Sequence, residues 1–189
     1  MSAQTPAAQP ETTAAPQAET LPLVIAPDPR LKTRTRLVTA ADRTRVSALA
    51  QRMLATMYAA PGIGLAAPQV GVDLRLAVVD LQPDDKPAPI ILINPKVEKT
   101  STEEVTREEG CLSIPGQYAD VTRPERVTVS YEDLDGHTQT IEADGLLATC
   151  LQHEIDHLDG ILFVDHLSAL KRNIILRKMV KEKRLRKNG

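Results

Sequence analysis

Apolar residues recur at helical spacing between Thr39 and Ala60, through Val46, Leu49, Met53 and Met57, and this period predicts a helix. Asp42 stands where an N-cap belongs, and Pro61-Gly62 ends the pattern. The period then changes. LRLAVVDL and IILINPKVEK are short β-branched blocks and read as strands. RVTVSYED and HTQTIEAD alternate apolar with polar residues around Leu134-Asp135-Gly136, which signals a hairpin. Helical spacing returns from Gly145 to Leu158, with Asp144 placed as N-cap and Gly160 placed as a left-handed C-cap. A third helix follows His166, where Leu167, Leu170, Ile174 and Met179 recur among basic residues. Upstream, LPLVIAPDPRLKTRTRLV is extended and punctuated by proline. Strands in the middle and helices at the ends predict an α+β fold rather than a parallel βαβ one.

Composition narrows this picture. The 189 residues fit one domain plus extensions. One Phe, three Tyr and no Trp leave the core to Leu, Ile, Val and Ala. No apolar run approaches the roughly 18 residues that cross a bilayer, so no membrane association is expected. Residues 1–20 are rich in Ala, Pro, Gln and Thr and lack basic residues, which predicts a disordered extension rather than a signal or transit peptide. Cys111 and Cys150 are too few for a disulfide framework, and a reducing, cytoplasmic setting is the simpler reading. The net charge of −2 is unevenly distributed. From Leu167 onward there are nine Lys or Arg and one acid, a surplus of +8 that leaves −10 on the rest. A basic tail on an acidic body points to an anionic partner for the tail.

The candidate chemistry lies in QHEIDHLDG, residues 152–160, which contains His-Glu-x-x-His. At about 100° per residue, Leu146, Cys150, His153, Glu154 and His157 share one face of their helix. Leu147, Ala148, Leu151, Ile155 and Leu158 form an apolar face, and Thr149, Gln152, Asp156 and Asp159 a hydrophilic one. Histidines four apart lie about 5–6 Å apart at Cβ and can converge on one metal. Glu154 is offset from the pair and suits a general base acting on water.

Two histidines leave a ligand missing. The third His of one zinc-protease pattern would fall at Phe163, and a downstream Glu of the other pattern is absent from its place. His166 can be considered, but no pattern supports it. Cys150 is two turns from His157, about 10.5 Å of rise, whereas ligands of one ion lie about 3–4 Å apart. It more naturally lines the pocket. A lone Cys is most often a small buried hydrophobe. Beside an unfinished two-His site, however, Cys111 in REEGCLSIPG becomes the best third ligand, and Pro115-Gly116 reads as the end of its segment. One Cys and two His leave an open position, the mark of a catalytic site.

GIGLAAPQ (residues 62–69), EGCLS (109–113) and HEIDHLDG (153–160) together resemble the three signature motifs of bacterial peptide deformylase, in the family's order. The resemblance implies antiparallel sheets packed around a central metal-binding helix, with an N-terminal and a C-terminal helix. It also implies a catalytic domain over residues 21–166 and a basic C-terminal helix over 167–189. It implies one Fe2+ ion, replaceable by Zn2+, Ni2+ or Co2+, on Cys111, His153 and His157, with Glu154 as proton carrier. Gln69 and the Leu112 backbone N–H are expected to bind the oxyanion. Gly64 is expected to contact the substrate backbone, and Ile63, Leu146, Cys150 and His153 to shape a methionine pocket. The implied substrate is the N-formyl group of the initiator methionine on a nascent polypeptide, and the implied partner of the tail is the ribosome near its exit tunnel. A monomer is expected. Tyr118 stands where the family commonly has a substrate-binding Arg, and Thr149 puts a hydroxyl at the pocket wall. The residues alone also admit a metalloprotease, or a non-catalytic metal-stabilised ribosome-binding protein.

Overall fold

A computed structural model describes residues 18–187. Most of the expected extension lies outside the described residues; at its inner end Arg52 binds the Glu19 backbone carbonyl and carboxylate.

Among the described residues seven strands and three α-helices form an α+β fold. Five strands build one antiparallel sheet: β1 (Gly64–Ala66), β2 (Leu76–Val79), β3 (Ile90–Thr100), β6 (Val127–Glu132) and β7 (Thr138–Ala143), side by side in that order. β4 (Glu104–Cys111) and β5 (Ile114–Pro124) form a separate two-stranded sheet. The helices are α1 (Arg43–Ala59), α2 (Gly145–Leu158) and α3 (Ala169–Lys187).

Alternation along the strands sets the layers. Leu76, Val78 and Ile93 face α1, where they pack with Val46, Met53 and Met57. Ala77, Val79 and Leu92 point the other way, onto Ala148, Leu151, Ile155 and Leu158 of α2. Burial on both faces explains why β2 is a continuous apolar run rather than an alternating one. A third cluster, with Val24, Leu31, Ile114, Val121, Phe163, Ile175 and Met179, joins the two-stranded sheet to α3. Helix α2 is therefore enclosed. Its expected hydrophilic face is largely buried as well: Gln152 Nε2 donates to the Pro124 carbonyl at 3.0 Å, and Asp156 accepts from Arg123 at 2.8 Å.

Several local expectations need correction. Asp42 does not cap α1 with its side chain; the short 3-10 turn before the helix starts at Thr39, whose N–H and hydroxyl donate to Asp42. Asp144 occupies the N-cap position of α2 without a side-chain cap bond. Gly160 is left-handed as expected, and a Cβ there would meet the Lys32 backbone carbonyl at 2.7 Å. Pro115 and Gly116 do not end their segment but lie inside β5. In α3 the inward positions are Ile175 and Met179, whereas Leu170 and Ile174 are exposed.

Candidate active site

Three elements converge on a cleft of about 620 Å³. α2 brings Leu146, Cys150, His153 and Glu154 to its wall. The end of β4 brings Cys111, and a two-residue turn through Leu112 and Ser113 leads into β5. The β1 edge brings Ile63 and Gly64, followed by Gln69 from the next turn.

Cys111, His153 and His157 offer Sγ and ring nitrogen atoms that all lie within 4.8 Å of one another. The His153 and His157 rings meet edge-on with centroids 4.9 Å apart, the consequence of i, i+4 spacing. Cys111 Sγ lies 3.2 Å from His157 Nε2. Among the described residues one other group of this kind occurs, the exposed hairpin turn of Asp133, Asp135 and His137.

A buried chain of charges orients the first histidine. Arg123 Nε and Nη2 grip the two Glu109 oxygens at 2.5 and 3.0 Å, and Arg123 Nη1 reaches Asp156 at 2.8 Å. Burial alone would raise the Glu109 pKa, but the hydrogen bonds from His153 and Arg123 outweigh it and bring it down to about 2. Glu109 is thus a carboxylate that only accepts. His153 Nδ1, 2.8 Å away, must donate to it, which leaves Nε2 as the other ring nitrogen; against the effect of burial, hydrogen bonds with Cys111 and Glu109 raise the His153 pKa well above the usual imidazole value, so a metal would take the place of the Nε2 proton. This donor set, a thiol and an imidazole oriented through its Nδ1 beside a second buried imidazole, fits a divalent cation. Burial, followed by the neighbouring His153, pushes the His157 pKa well below the usual imidazole value, so this ring is neutral and able to ligate.

Glu154 is fully enclosed, and its Oε2 has no hydrogen-bond partner. Burial is the main cause that raises its pKa to about 7. It faces Gly64 so closely that a Cβ there would sit 2.3 Å from Glu154 Oε1 and 2.9 Å from Cys150 Sγ. Gln69 is also buried. Its Oε1 accepts from the Ala66 N–H at 2.8 Å, which turns Nε2 toward Cys111 Sγ (3.4 Å) and Ser113 Oγ (3.3 Å). The amide is thereby fixed as a donor at the rim of the cluster.

The other expected positions sort as follows. Cys150 is buried in the cleft wall and is a free thiol, as is Cys111. Leu146 and Ile63 stand at the cleft mouth, 50% and 40% exposed. Thr149 does not present its hydroxyl as a free donor, because Oγ1 bonds back to the Gly145 carbonyl at 3.2 Å. His166 lies outside the cluster and pairs with Asp156 at 2.7 Å. Sequence reasoning missed Glu109 as the partner of His153 and Arg123 as the partner of Glu109.

The family profile described as polypeptide deformylase matches residues 20–173. The chain belongs to that family. A peptide deformylase of Agrobacterium fabrum (strain C58) is 53% identical over 164 residues, which span 86% of this chain and 96% of that protein. One from Rhizobium meliloti is 51% identical over 166 residues, 87% of this chain and 95% of that protein. The crystal structure of a peptide deformylase from Legionella pneumophila is 46% identical and superposes with a TM-score of 0.81, covering 90% of this chain and 99% of that one. That of Ehrlichia chaffeensis in complex with actinonin is 40% identical with a TM-score of 0.82, covering 88% and 99%. As a family member this deformylase is a metal-dependent hydrolase that removes the N-formyl group from nascent peptides.

Proposed function

We propose that Cys111, His153 and His157 hold a ferrous ion, which Zn2+, Ni2+ or Co2+ can replace, and that the cleft around it deformylates the initiator methionine. The support is the meeting of a thiol and two imidazoles with an enclosed, unpartnered carboxylate in one cleft. A divalent cation there supplies Lewis acidity and makes a water molecule acidic enough to ionise near neutral pH. Glu154 accepts the water proton and later delivers it to the departing amine, a role suited to a carboxylate whose pKa is about 7. Gln69 Nε2 and the Leu112 N–H donate to the formyl oxygen as it becomes an oxyanion; losing one such donor costs about 10²–10³ in rate. Ile63, Leu146, Cys150 and the flank of His153 receive the methionine side chain. Gly64 admits the peptide backbone close to Glu154. The products are formate and a free amino terminus. The setting is cytoplasmic and the working unit a monomer.

The experiment is anaerobic purification, metal analysis and formate release from formyl-Met-Ala. Glu154→Ala should keep its metal and lose nearly all turnover, whereas Cys111→Ala should lose both. Substantial turnover by Glu154→Ala would refute the proton-carrier role. Cleavage of internal peptide bonds without formate would favour a protease.

We also propose that α3 docks on the ribosome near the exit of the nascent chain. Arg177, Lys181 and Arg184 border an apolar groove along α3 with Leu176 and Val180. Cutting the chain at Lys178 would remove Met179 from the core, so charge reversal at Lys181 and Arg184 is the cleaner test. Salt-sensitive co-sedimentation with ribosomes should weaken in that variant.

A further inference from the structure

A chain of side chains runs from solvent to His153. His166 Nε2 lies 2.7 Å from Asp156 Oδ2, and Arg123 Nη1 donates to that same oxygen at 2.8 Å. The guanidinium then forks onto Glu109, whose Oε2 also accepts from His153 Nδ1 at 2.8 Å. The His166 side chain is 34% exposed and that of Asp156 20%, whereas Arg123 and Glu109 are buried. An isolated pair at the surface contributes little. This one shares its acceptor oxygen with a buried guanidinium, so a change at His166 enters a network in which each bond polarises the next. The turn that carries His166 also meets His153 directly. Phe163–His166 is a 3-10 turn, in which residues three apart eclipse, so Phe163 and His166 leave it on one side. The buried Phe163 ring stacks on the His153 ring, with centroids 6.3 Å and planes 19° apart. The turn itself is pinned: Asp165 accepts from the Leu162 N–H and pairs with Lys32.

We propose that His166 is a positioning residue for the metal site, acting on His153 through Asp156, Arg123 and Glu109. The inference rests on the reading of Cys111, His153 and His157 as the metal ligands. His166 holds Asp156, Asp156 holds the third arm of Arg123, and the fork of Arg123 holds Glu109 where it orients the imidazole. A partner in direct contact with a ligating imidazole accounts for about 10–100-fold in metal affinity. His166 stands farther out, and its share falls short of that range, at about three- to tenfold.

The test is competition between a chelator and the full chain for Zn2+, read as affinity rather than turnover. Cys111→Ala should abolish tight binding, which identifies the cluster as the site measured. His166→Leu keeps the side chain's bulk and removes its donor, and it should weaken binding about three- to tenfold. His166→Gln, whose amide can place an N–H near the Nε2 position, should bind like the parent. In an Asp156→Ala background the His166→Leu change should have no further effect, because the chain is already cut. The same loss in both backgrounds would mean that the turn acts through Phe163 alone, and it overturns the proposal. So does a His166→Gln variant that behaves like His166→Leu. Urea unfolding in EDTA measures stability separately, and a His166→Leu variant that loses stability but keeps the parent's affinity leaves His166 merely structural. Tight Zn2+ binding that survives Cys111→Ala removes the ligand reading itself.

Discussion

Replacing Arg123 with Met should be the most informative perturbation of the protein outside the metal cluster. Arg123 and Glu109 have side chains only 5% and 4% exposed, and the guanidinium makes three hydrogen bonds to Glu109 and Asp156. Methionine fills similar volume but leaves the Glu109 charge buried with His153 as its remaining partner. Removing one partner of a buried pair costs about 3–5 kcal/mol, mostly through the charge left behind. For a domain of this size that corresponds to a fall in Tm of roughly 6–20 °C. Urea unfolding in EDTA isolates this effect from metal linkage. The same substitution loosens the acceptor that fixes the His153 tautomer, and such changes lower metal affinity about 10–100-fold, measurable by chelator competition. The double variant Arg123→Met with Glu109→Gln removes the stranded charge, so it should recover part of the lost stability. An Arg123→Met variant within about 1 kcal/mol of the parent, with unchanged metal affinity, would refute the whole argument.

Two further outcomes follow from the same geometry. Gly64→Ala should retain its metal and lose about a hundredfold or more in kcat/KM, because the new methyl displaces Glu154 by the order of an ångström; a loss under fivefold would show that Glu154 can move aside freely. Asp42 has its pKa held below the usual carboxylate range, first by hydrogen bonding from Arg36 and then from the Thr39 backbone. A depressed folded pKa gives stability that is complete above the unfolded value near 4 and lost as pH falls through the folded one. Asp42→Asn should therefore melt lower than the parent at pH 7, and the two melting curves should converge toward pH 2; a constant gap across that range would contradict the assignment.

The legible parts of this fold are those where apolar periodicity reports burial. Met53 and Met57 on α1, the apolar flank of α2 and the block at β2 all follow that rule, and Gly160 marks its helix end through a conformation other residues resist. The β4–β5 pair escaped because its period carries the wrong chemistry. In EVTREEGC the one buried residue is Glu109, and on β5 it is met by buried Arg123. Each charge reads as surface on its own. The two are not opposed in the strand register, and only the ion pair between their side chains makes both interior. The gathering of Cys111, His153 and His157 was readable because helical spacing fixes His153 against His157 and excludes Cys150. The orienting chain behind them was not, since Asp156 reads as solvated until Arg123 arrives from a separate sheet. On α3 the expected Met179 is buried, but Ile175 takes the inward place expected of Ile174, because the contacts depend on where the helix lands on Ile114 and Val121.

The cluster also has a mechanical meaning. Its thiol comes from the small sheet and its imidazoles from the enclosed helix, so an ion bound there ties together two hydrophobic clusters that the chain itself joins through a long intervening segment. Such a clip restrains a long loop. The strand it would anchor also carries Gly110, the seat of the Tyr118 ring, so loading the ion and shaping the rim over which a peptide enters become one event.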